Sequence, residues 1–484
     1  MQPATPKLPG AGPQPGTAFP DGFVWGAASS AYQVEGGADA DGKGPSVWDV
    51  FSHKPGATFM GHTGDTACDH YHRYPEDIAL MARIGLRAYR LSISWPRVLP
   101  EGTGRVNESG LAFYDRLVDG LLGAGIQPWV TLFHWDYPQA LYCRGGWLNR
   151  ESPEWFAEYA QVIVDRLSDR VGHWITINEP QIFLGPDHGD ACGAPGSRPT
   201  TAERLVTAHH ALMAHGRAAR VIRDRARSRP QIGWAPIGRI KTPATERPAD
   251  VEAARRLTLA VANSDFWNNT WFADPVCLGR YPDDGVKLYD TPMTFVRAGD
   301  MEVIRQPLDF YGLNIYDAEP AEAGEGGVPR VLTRGPGHPQ TAVRWFVAPE
   351  ALYWGPRFLY ERYRIPIVIT ENGMSGIDWV GLDGKVHDPQ RIDYTQRYLL
   401  ALRRAIADGA DVRGYFHWSI MDNFEWQQGY KERFGLIHVD FHTQKRTLKD
   451  SATWYSGVIA NNGASLAVAG AGGPPRRLQR ASGS

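Results

Sequence analysis

Eight apolar, strand-like runs divide the chain of 484 residues, and stretches with helical periodicity lie between them. Because parallel strands need long connections, which helices usually supply, this alternation predicts a parallel sheet. Eight strand–helix units are what a (β/α)8 TIM barrel requires, and the length fits one such α/β domain with long strand-to-helix loops. The predicted strands are residues 23–30, 88–95, 128–135, 174–180, 231–236, 308–316, 365–373 and 412–419.

Two of the intervening stretches show clear helical patterns. Ile78, Met81 and Ile84 recur every third residue before Gly85, which predicts a helix that ends at that glycine. In residues 112–126 apolar side chains recur every fourth position, which predicts a second helix.

The two ends of the chain differ in composition from the rest. Residues 1–18 are rich in Pro and Gly, and residues 463–484 are small and polar with a basic patch, so both ends are predicted to be disordered. No linker divides the chain between them, and residues 19–462 are therefore predicted to form one barrel domain. Residues 320–342, rich in Gly, Pro and Glu, predict a long surface loop.

Charge and residue content argue against several classes of protein. The formal net charge of −2 gives no reason to expect nucleic acid or an anionic membrane as a partner. No window approaches the roughly 18 apolar residues of a membrane span. The N-terminus lacks the apolar core of a secretion signal, so a cytoplasmic protein is predicted. The sequence makes no prediction of oligomeric state.

No metal site or cofactor is predicted. The four cysteines form no CxxC pair. His70 and His72 have no partner at zinc-like spacing, and a structural role is predicted for them.

Two of the predicted strands end in a glutamate. Residues 173–180, HWITINEP, end in Glu179, and residues 366–373, PIVITENG, end in Glu371. In a TIM barrel the catalytic groups lie at the carboxyl ends of the strands, so both carboxyls are expected in one pocket. Other strands end in His, Asn, Tyr and Trp, and such a pocket suits glycoside hydrolysis, which uses two carboxyl groups.

Glycoside hydrolysis needs one carboxyl protonated while the other is ionised, so their surroundings must separate the two pKa values. Arg90 lies on another predicted strand and is expected to keep one carboxylate ionised. A lone strand-end glutamate would be read as an ion pair, but two at matching positions, each beside an amide, favour catalysis.

At these residues the sequence resembles family 1 of the glycoside hydrolases, the retaining β-glucosidase type. The resemblance runs from Phe19 to about Gly457. It rests on seven motifs in the same order: FVWGAASSAYQVEG (23–36), YRLSISWPR (89–97), TLFHWDYPQAL (131–141), TINEP (176–180), DFYGLNIY (309–316), ITENG (369–373) and FHWSIMDNFEWQQGYKERFGL (416–436).

The resemblance implies a β-glycoside substrate, glucose as product, and a role for each matched residue. Glu179 is expected to be the acid/base, and Glu371 the nucleophile. Asn178 is expected to hold the sugar 2-hydroxyl, while Gln33, His134 and Glu425 bind the 3-, 4- and 6-hydroxyls. The remaining implied contacts are Trp135, Trp418 and Trp426, which complete the sugar pocket with Trp418 as its stacking floor, Arg90, Asn314 and Tyr316 around the nucleophile, and Phe434 near Glu425.

The sequence departs from the family pattern on the side where the leaving group is expected. Gln181 stands where members often carry Trp, Cys143 replaces a more polar residue, and residues 181–196 are unusual. These departures predict an altered leaving-group preference. Two alternatives stay open: a 6-phospho-β-glycosidase, disfavoured by Glu425, and a non-catalytic carbohydrate-binding barrel, disfavoured because both carboxyls are present.

Overall fold

A computed structural model describes residues 18–184 and 193–466 of the chain. The bounds of its strands follow the apolar runs of the sequence. In chain order they are β1 (Val24–Ala28), β2 (Ala88–Ser92), β3 (Gln127–Phe133), β4 (His173–Asn178), β5 (Gln231–Ala235), β6 (Ile240–Pro243), β7 (Tyr311–Asn314), β8 (Ala318–Ala323), β9 (Pro329–Val331), β10 (Ile367–Asn372), β11 (Val412–Trp418), β12 (Ile437–Val439) and β13 (Arg446–Leu448).

Eight of these strands form one parallel sheet in the order β5-β4-β3-β2-β1-β11-β10-β7. The two outer strands meet through backbone hydrogen bonds from Asp309 N to Ile232 O at 2.8 Å and from Asn314 N to Pro236 O at 3.1 Å. The sheet therefore curves into a nearly closed barrel. Each of the eight predicted strands overlaps one barrel strand, and the predicted TIM-barrel fold is confirmed.

Helices connect the barrel strands. Their bounds are α1 (Ala31–Val34), α2 (Val47–Ser52), α3 (His70–Ile84), α4 (Trp95–Val98), α5 (Glu108–Gly123), α6 (Gln139–Tyr142), α7 (Ser152–Leu167), α8 (Pro180–Phe183), α9 (Thr201–Arg225), α10 (Pro248–Leu259), α11 (Thr270–Leu278), α12 (Asp283–Tyr289), α13 (Asp300–Ile304), α14 (Ala351–Tyr363), α15 (Pro389–Ala407) and α16 (Asp450–Ala460).

Both predicted helices are confirmed, as α3 and α5. Gly85 ends α3 in the left-handed conformation, with φ 82°, which costs a glycine little. The longest helix, α9, begins with a capping box: the side chain of Thr200 accepts from Glu203 N, and the side chain of Glu203 accepts from Thr200 N. His70 at the start of α3 is bonded to the buried Asp77 at 2.7 Å, in agreement with a structural role.

Aromatic rings fill the lower part of the barrel interior. Trp129 lies 5.0 Å from Phe416 and 5.2 Å from Phe310, measured between ring centroids. Two strand glycines leave space for these rings, since a Cβ on Gly26 would lie 2.5 Å from Phe416, and one on Gly233 would lie 2.3 Å from Phe310. The barrel is thus closed below, and polar side chains are gathered at the carboxyl ends of its strands.

The prediction for residues 320–342 was partly wrong. Strands β8 and β9 occupy part of this range and join β6 in a small three-stranded sheet. A surface sheet of this kind is stabilised by pairing with a distant strand, which local composition does not reveal.

The chain packs slightly beyond the predicted domain boundary. Residues 463–466 are described, and Leu466 is buried in the core. Most of the two predicted disordered ends lies outside the described residues, so the disorder stays a prediction. Within the described part of the chain, no helix is long and apolar enough to cross a membrane. A cytoplasmic location also stays a prediction.

Candidate active site

The carboxyl ends of the barrel strands surround a cavity of about 260 Å3. Both glutamates singled out by the sequence line it: Glu179 directly after β4, and Glu371 in β10. The other lining residues are His134, Trp135, Ile182, Ile237, Gly238, Arg239, Trp267, Asn314, Tyr316, Asp317, Trp345, Trp418, Glu425, Trp426 and Gln427.

Glu371 is held by a cation and a phenol. Arg90 Nη1 donates to its Oε1 at 2.5 Å, and the Tyr316 hydroxyl donates to its Oε2 at 2.6 Å. Arg90 is fully buried and also donates to Thr131 Oγ1, Thr370 O and Asn178 Oδ1. The guanidinium is therefore fixed in place, and both oxygens of Glu371 accept hydrogen bonds that stabilise its ionised form.

Glu179 has a less polar environment. Asn314 Nδ2 donates to its Oε1 at 2.8 Å, and the Oδ1 atom of the same amide accepts from the Thr370 hydroxyl at 2.7 Å. This second bond fixes the orientation of the Asn314 amide and points its NH2 group at the carboxyl. A neutral amide stabilises a carboxylate less than a guanidinium does.

These surroundings separate the acidities of the two carboxyls. Burial and the nearby charge of Glu371 raise the pKa of Glu179 well above its usual range, against the smaller effects of Asn314 and Arg90. Burial also raises the pKa of Glu371, but Arg90 and the Tyr316 hydroxyl oppose the rise. Glu179 is therefore the carboxyl that keeps its proton, and Glu371 is the one that ionises first.

Asn178 connects the partners of the two carboxyls. Its Oδ1 accepts from Arg90 at 2.6 Å and from Asn314 at 3.1 Å, and its Nδ2 lies 3.2 Å from His134 Nε2. Burial and the charge of Arg90 lower the pKa of His134 well below its usual range. The imidazole is thus neutral, and its Nε2 can accept from the Asn178 amide.

On the opposite side of the cavity, Gln33 Nε2 donates to Glu425 Oε2 at 3.2 Å. The same amide nitrogen donates to Asn423 Oδ1 at 3.0 Å and to Phe424 O at 2.9 Å, so it is shared among three acceptors. Burial, Glu371 and Glu432 raise the pKa of Glu425 to about 8.

Aromatic rings form the walls. The ring centroids of Trp135 and Trp426 lie 4.5 Å apart, and the ring of His134 stacks over that of Trp418 with 5.8 Å between centroids. Phe434 lies behind the wall, 6.3 Å from Tyr316. Flat indole faces of this kind pack against the C–H faces of a pyranose ring.

The backbone is strained at three of the described residues that line the cavity, and one of them, Trp426 with φ 53°, lies in the loop after β11. Glu179 has φ 43° and Trp135 has φ 80°, a region that side chains other than glycine rarely adopt. Each of these two residues closely follows a barrel strand, β4 and β3 respectively. Strain of this kind persists where the surrounding structure enforces it, and it clusters at functional sites.

The sequence model of Glycosyl hydrolase family 1 matches residues 16–464. The chain belongs to this family. A family member named 1,4-beta-D-glucan glucohydrolase, from Thermotoga neapolitana, is 44% identical, covering 92% of this chain and 99% of its own. A bifunctional beta-D-glucosidase/beta-D-fucosidase from Bifidobacterium breve is 41% identical with the same coverage of both chains. Among solved family 1 structures, the beta-glucosidase of Thermotoga maritima in complex with deoxynojirimycin has TM-score 0.83 and 43% identity, over 92% of this chain and 99% of that one.

The resemblance to family 1 glycoside hydrolases, and with it a glycoside hydrolase activity of the β-glucosidase type, is confirmed. The structure brings the thirteen predicted site residues together. Nine line the cavity directly, while Gln33, Arg90, Asn178 and Phe434 contact those nine from behind.

Gln181 lies behind the cavity wall, and the altered leaving-group preference stays a prediction. Its side chain is buried and does not line the cavity: Oε1 accepts from Ile237 N at 3.3 Å, and Nε2 donates to Ile237 O at 3.3 Å and to Asn268 O at 3.4 Å. It therefore supports the wall from behind, and Ile182 and Ile237 face the cavity instead. Residues 185–192, part of the unusual segment, lie outside the described residues.

Sequence reasoning missed one side of the mouth. The residues that line it all lie outside the quoted motifs, in segments that follow a strand or form a long loop: Arg239, Trp267, Asp317 and Trp345. Asp317 directly follows the motif DFYGLNIY, so its position beyond a strand end was the one available signal.

Proposed function

We propose that this family 1 enzyme hydrolyses terminal β-D-glucosyl residues with retention, with Glu371 as nucleophile and Glu179 as acid/base. One observation carries the proposal: two carboxyls from β4 and β10 face one cavity, and only Glu371 is bonded to a guanidinium. Retaining glycosidases use such a pair in two displacements. Because both carboxyls are present and their surroundings separate their acidities, a non-catalytic carbohydrate-binding barrel is disfavoured.

In the first displacement a carboxylate oxygen of Glu371 attacks the anomeric carbon. The glycosidic bond breaks, and Glu179 gives its proton to the leaving oxygen, which leaves a glycosyl ester on Glu371. In the second, Glu179 removes a proton from water, the water oxygen attacks the same carbon, and Glu371 leaves as a carboxylate. Two inversions restore the β configuration.

Arg90 and Tyr316 bind Glu371 in the free enzyme and when it leaves. Both donors aim at its oxygens before substrate arrives, so little reorganisation is needed during reaction. Burial keeps the hydroxyl of Tyr316 protonated, since it raises the pKa well above the usual range. Tyr316 therefore remains a donor throughout.

The substrates proposed are β-glucosides, cellobiose and short cello-oligosaccharides, with β-fucosides and β-galactosides also accepted. The names of the relatives support glucan, glucoside and fucoside substrates. Gln33, His134, Asn178 and Glu425 are proposed to bind the sugar hydroxyls. The indole walls, Trp135, Trp418 and Trp426, are proposed to pack against the ring.

Replacing Glu371 by Ala tests the proposal. The variant should lose nearly all hydrolysis of 4-nitrophenyl β-D-glucoside, and added azide should restore turnover and release the α-glucosyl azide from the vacated side. Glu371→Gln serves as a matched control, because its amide fills the space that azide needs and should block rescue. Turnover of Glu371→Ala near that of the wild type would contradict the assignment.

A further inference from the structure

The mouth of the cavity carries an arginine that the roles above do not use. Arg239 lies just beyond β5 and lines the cavity beside Trp267. Its backbone is bonded on both sides to buried Asn269: Arg239 N donates to Oδ1, and Nδ2 donates to Arg239 O, each at 2.9 Å. The position of Arg239 is therefore set by the protein before any ligand binds.

The N–H donors of the Arg239 guanidinium are not all used in hydrogen bonds. The carboxylate oxygens of Asp317 and Glu319 lie 3.7 and 3.5 Å from its Nη atoms, longer than the roughly 2.7–3.2 Å of an N–H···O bond. Its Nε is buried without a partner among the described residues. Within residues 18–184 and 193–466 the Nη donors therefore lack close acceptors, and a ligand that brings acceptors to them gains free energy.

Flat rings flank this guanidinium. Its central carbon lies 5.2 Å from the ring centroid of Trp267. Trp267 and Trp345 are both half-buried and line the same cavity. A planar leaving group that moves away from the catalytic carboxyls therefore meets the indole rings of Trp267 and Trp345. It also meets the guanidinium of Arg239, which lies against the ring of Trp267.

The charge at the mouth favours an anion. Arg239, Lys241 and Arg334 surround two acids, Asp317 and Glu319. Lys241 forms a close ion pair with Glu319, and burial raises the pKa of Asp317 above its usual value. In the part of the chain that the structure describes, no carboxylate oxygen lies closer than 3.5 Å to the Nη atoms of Arg239, so the charge of this guanidinium is incompletely compensated.

The floor of the cavity adds little repulsion toward an anion. Glu371 is neutralised by Arg90, and burial raises the pKa values of Glu179 and Glu425. Both shifts favour the protonated, neutral forms of these carboxyls.

From these observations we propose that the mouth recognises a planar aglycone that carries a carboxylate, such as the hydroxybenzoate of a carboxyphenyl β-glucoside, through Arg239 and Trp267. The inference rests on the proposed β-glucosidase function and specifies its leaving group. Arginine suits this role, because its planar fork binds both oxygens of a carboxylate at once.

Two substrates that differ in charge test the inference. 4-Carboxyphenyl and 4-carbamoylphenyl β-D-glucoside have similar shapes, so the ratio of their kcat/KM values isolates the carboxylate. Arg239→Gln should lower this ratio about fivefold, mainly through KM, a magnitude set by partly exposed charge pairs. Arg239→Lys keeps the charge and loses the planar fork, so its ratio should lie between those of the wild type and Arg239→Gln. About 0.5 M NaCl should lower the wild-type ratio by screening.

Arg397→Gln is the matched control. It removes one positive charge from an exposed pair with Asp393 on α15 and should leave the ratio unchanged. An unchanged ratio in Arg239→Gln would overturn the inference. An equal loss on cellobiose would do so as well, because it would assign the guanidinium to neutral sugar hydroxyls. Failure of the wild type on 4-nitrophenyl β-D-glucoside would instead contradict the proposed function, and the inference with it.

Discussion

Replacing Glu425 by Gln should stabilise the protein and weaken its recognition of glucosides, both as functions of pH. Its buried carboxyl has a pKa of about 8 in the folded chain, against an ordinary value of 4.5. A group that binds its proton more tightly when folded lowers the stability of the native state as the pH rises between those values. Gln has the same shape and cannot ionise, so the stability of the variant does not fall with pH for this reason.

The magnitude follows from the size of the pKa rise. Each unit corresponds to about 1.4 kcal/mol, so the rise from 4.5 to about 8 costs up to about 5 kcal/mol once the carboxyl is fully ionised. At pH 6 the cost is about 2 kcal/mol, and near pH 4.5 it vanishes. The thermal midpoints of Glu425→Gln and wild type should coincide near pH 4.5 and diverge steadily up to pH 8, with the variant higher.

Activity should change in the opposite direction. Hydrogen bonds to a charged group contribute about 1 kcal/mol more than neutral ones, so above pH 8 Glu425→Gln should lower kcat/KM for glucosides about fivefold to tenfold. Below pH 7 the wild-type carboxyl is itself neutral, and the difference should be small. Fucosides lack the 6-hydroxyl and should show a smaller change at every pH.

The assay is thermal unfolding at one scan rate from pH 4.5 to 9, beside kcat/KM on 4-nitrophenyl β-D-glucoside and β-D-fucoside. Parallel midpoint curves for the two proteins would refute the reasoning, because they would show that the carboxyl does not titrate differently in the folded state. An equal loss on glucoside and fucoside would refute the assignment of Glu425 to the 6-hydroxyl.

Three further predictions concern the same cavity. Glu179→Ala should lower the rate of hydrolysis of unactivated glucosides roughly 10²- to 10⁴-fold. It should still give a burst of product with dinitrophenyl glucoside and, with azide, form the β-glucosyl azide. Equal losses of rate on both substrates would contradict the acid role. Gln181→Ala should lower the thermal midpoint, because it breaks the bonds to Ile237 and Asn268, each worth about 1 kcal/mol; an unchanged midpoint would show that they carry no stability. Above pH 8, where Glu425 is ionised, wild-type enzyme should cleave 6-phosphoglucosides poorly, because the carboxylate repels a dianion; efficient cleavage there would favour the phosphoglycosidase alternative.

The barrel and the position of the catalytic groups could be predicted from local patterns. Runs such as Ile367–Asn372 are rich in β-branched residues, which favour a buried strand, and a parallel barrel places every strand's carboxyl end on one face. Glu179 and Glu371 are 192 residues apart in sequence, yet their positions at strand ends were sufficient to predict a shared cavity. The small sheet of β6, β8 and β9 escaped prediction because its pairing joins distant segments with little apolar pattern.

What the sequence by itself determined is therefore the order of strands, the residue types at their ends and the family to which these belong. Only the tertiary structure decided the surroundings of each group: which carboxyl meets Arg90, that Gln181 is buried behind the wall, and that Arg239 stands at the mouth. The physical reason is that periodicity records which face of an element is buried. Hydrogen-bond partners, desolvation and charge–charge distances depend instead on atoms from remote parts of the chain, and they exist only once the barrel has closed.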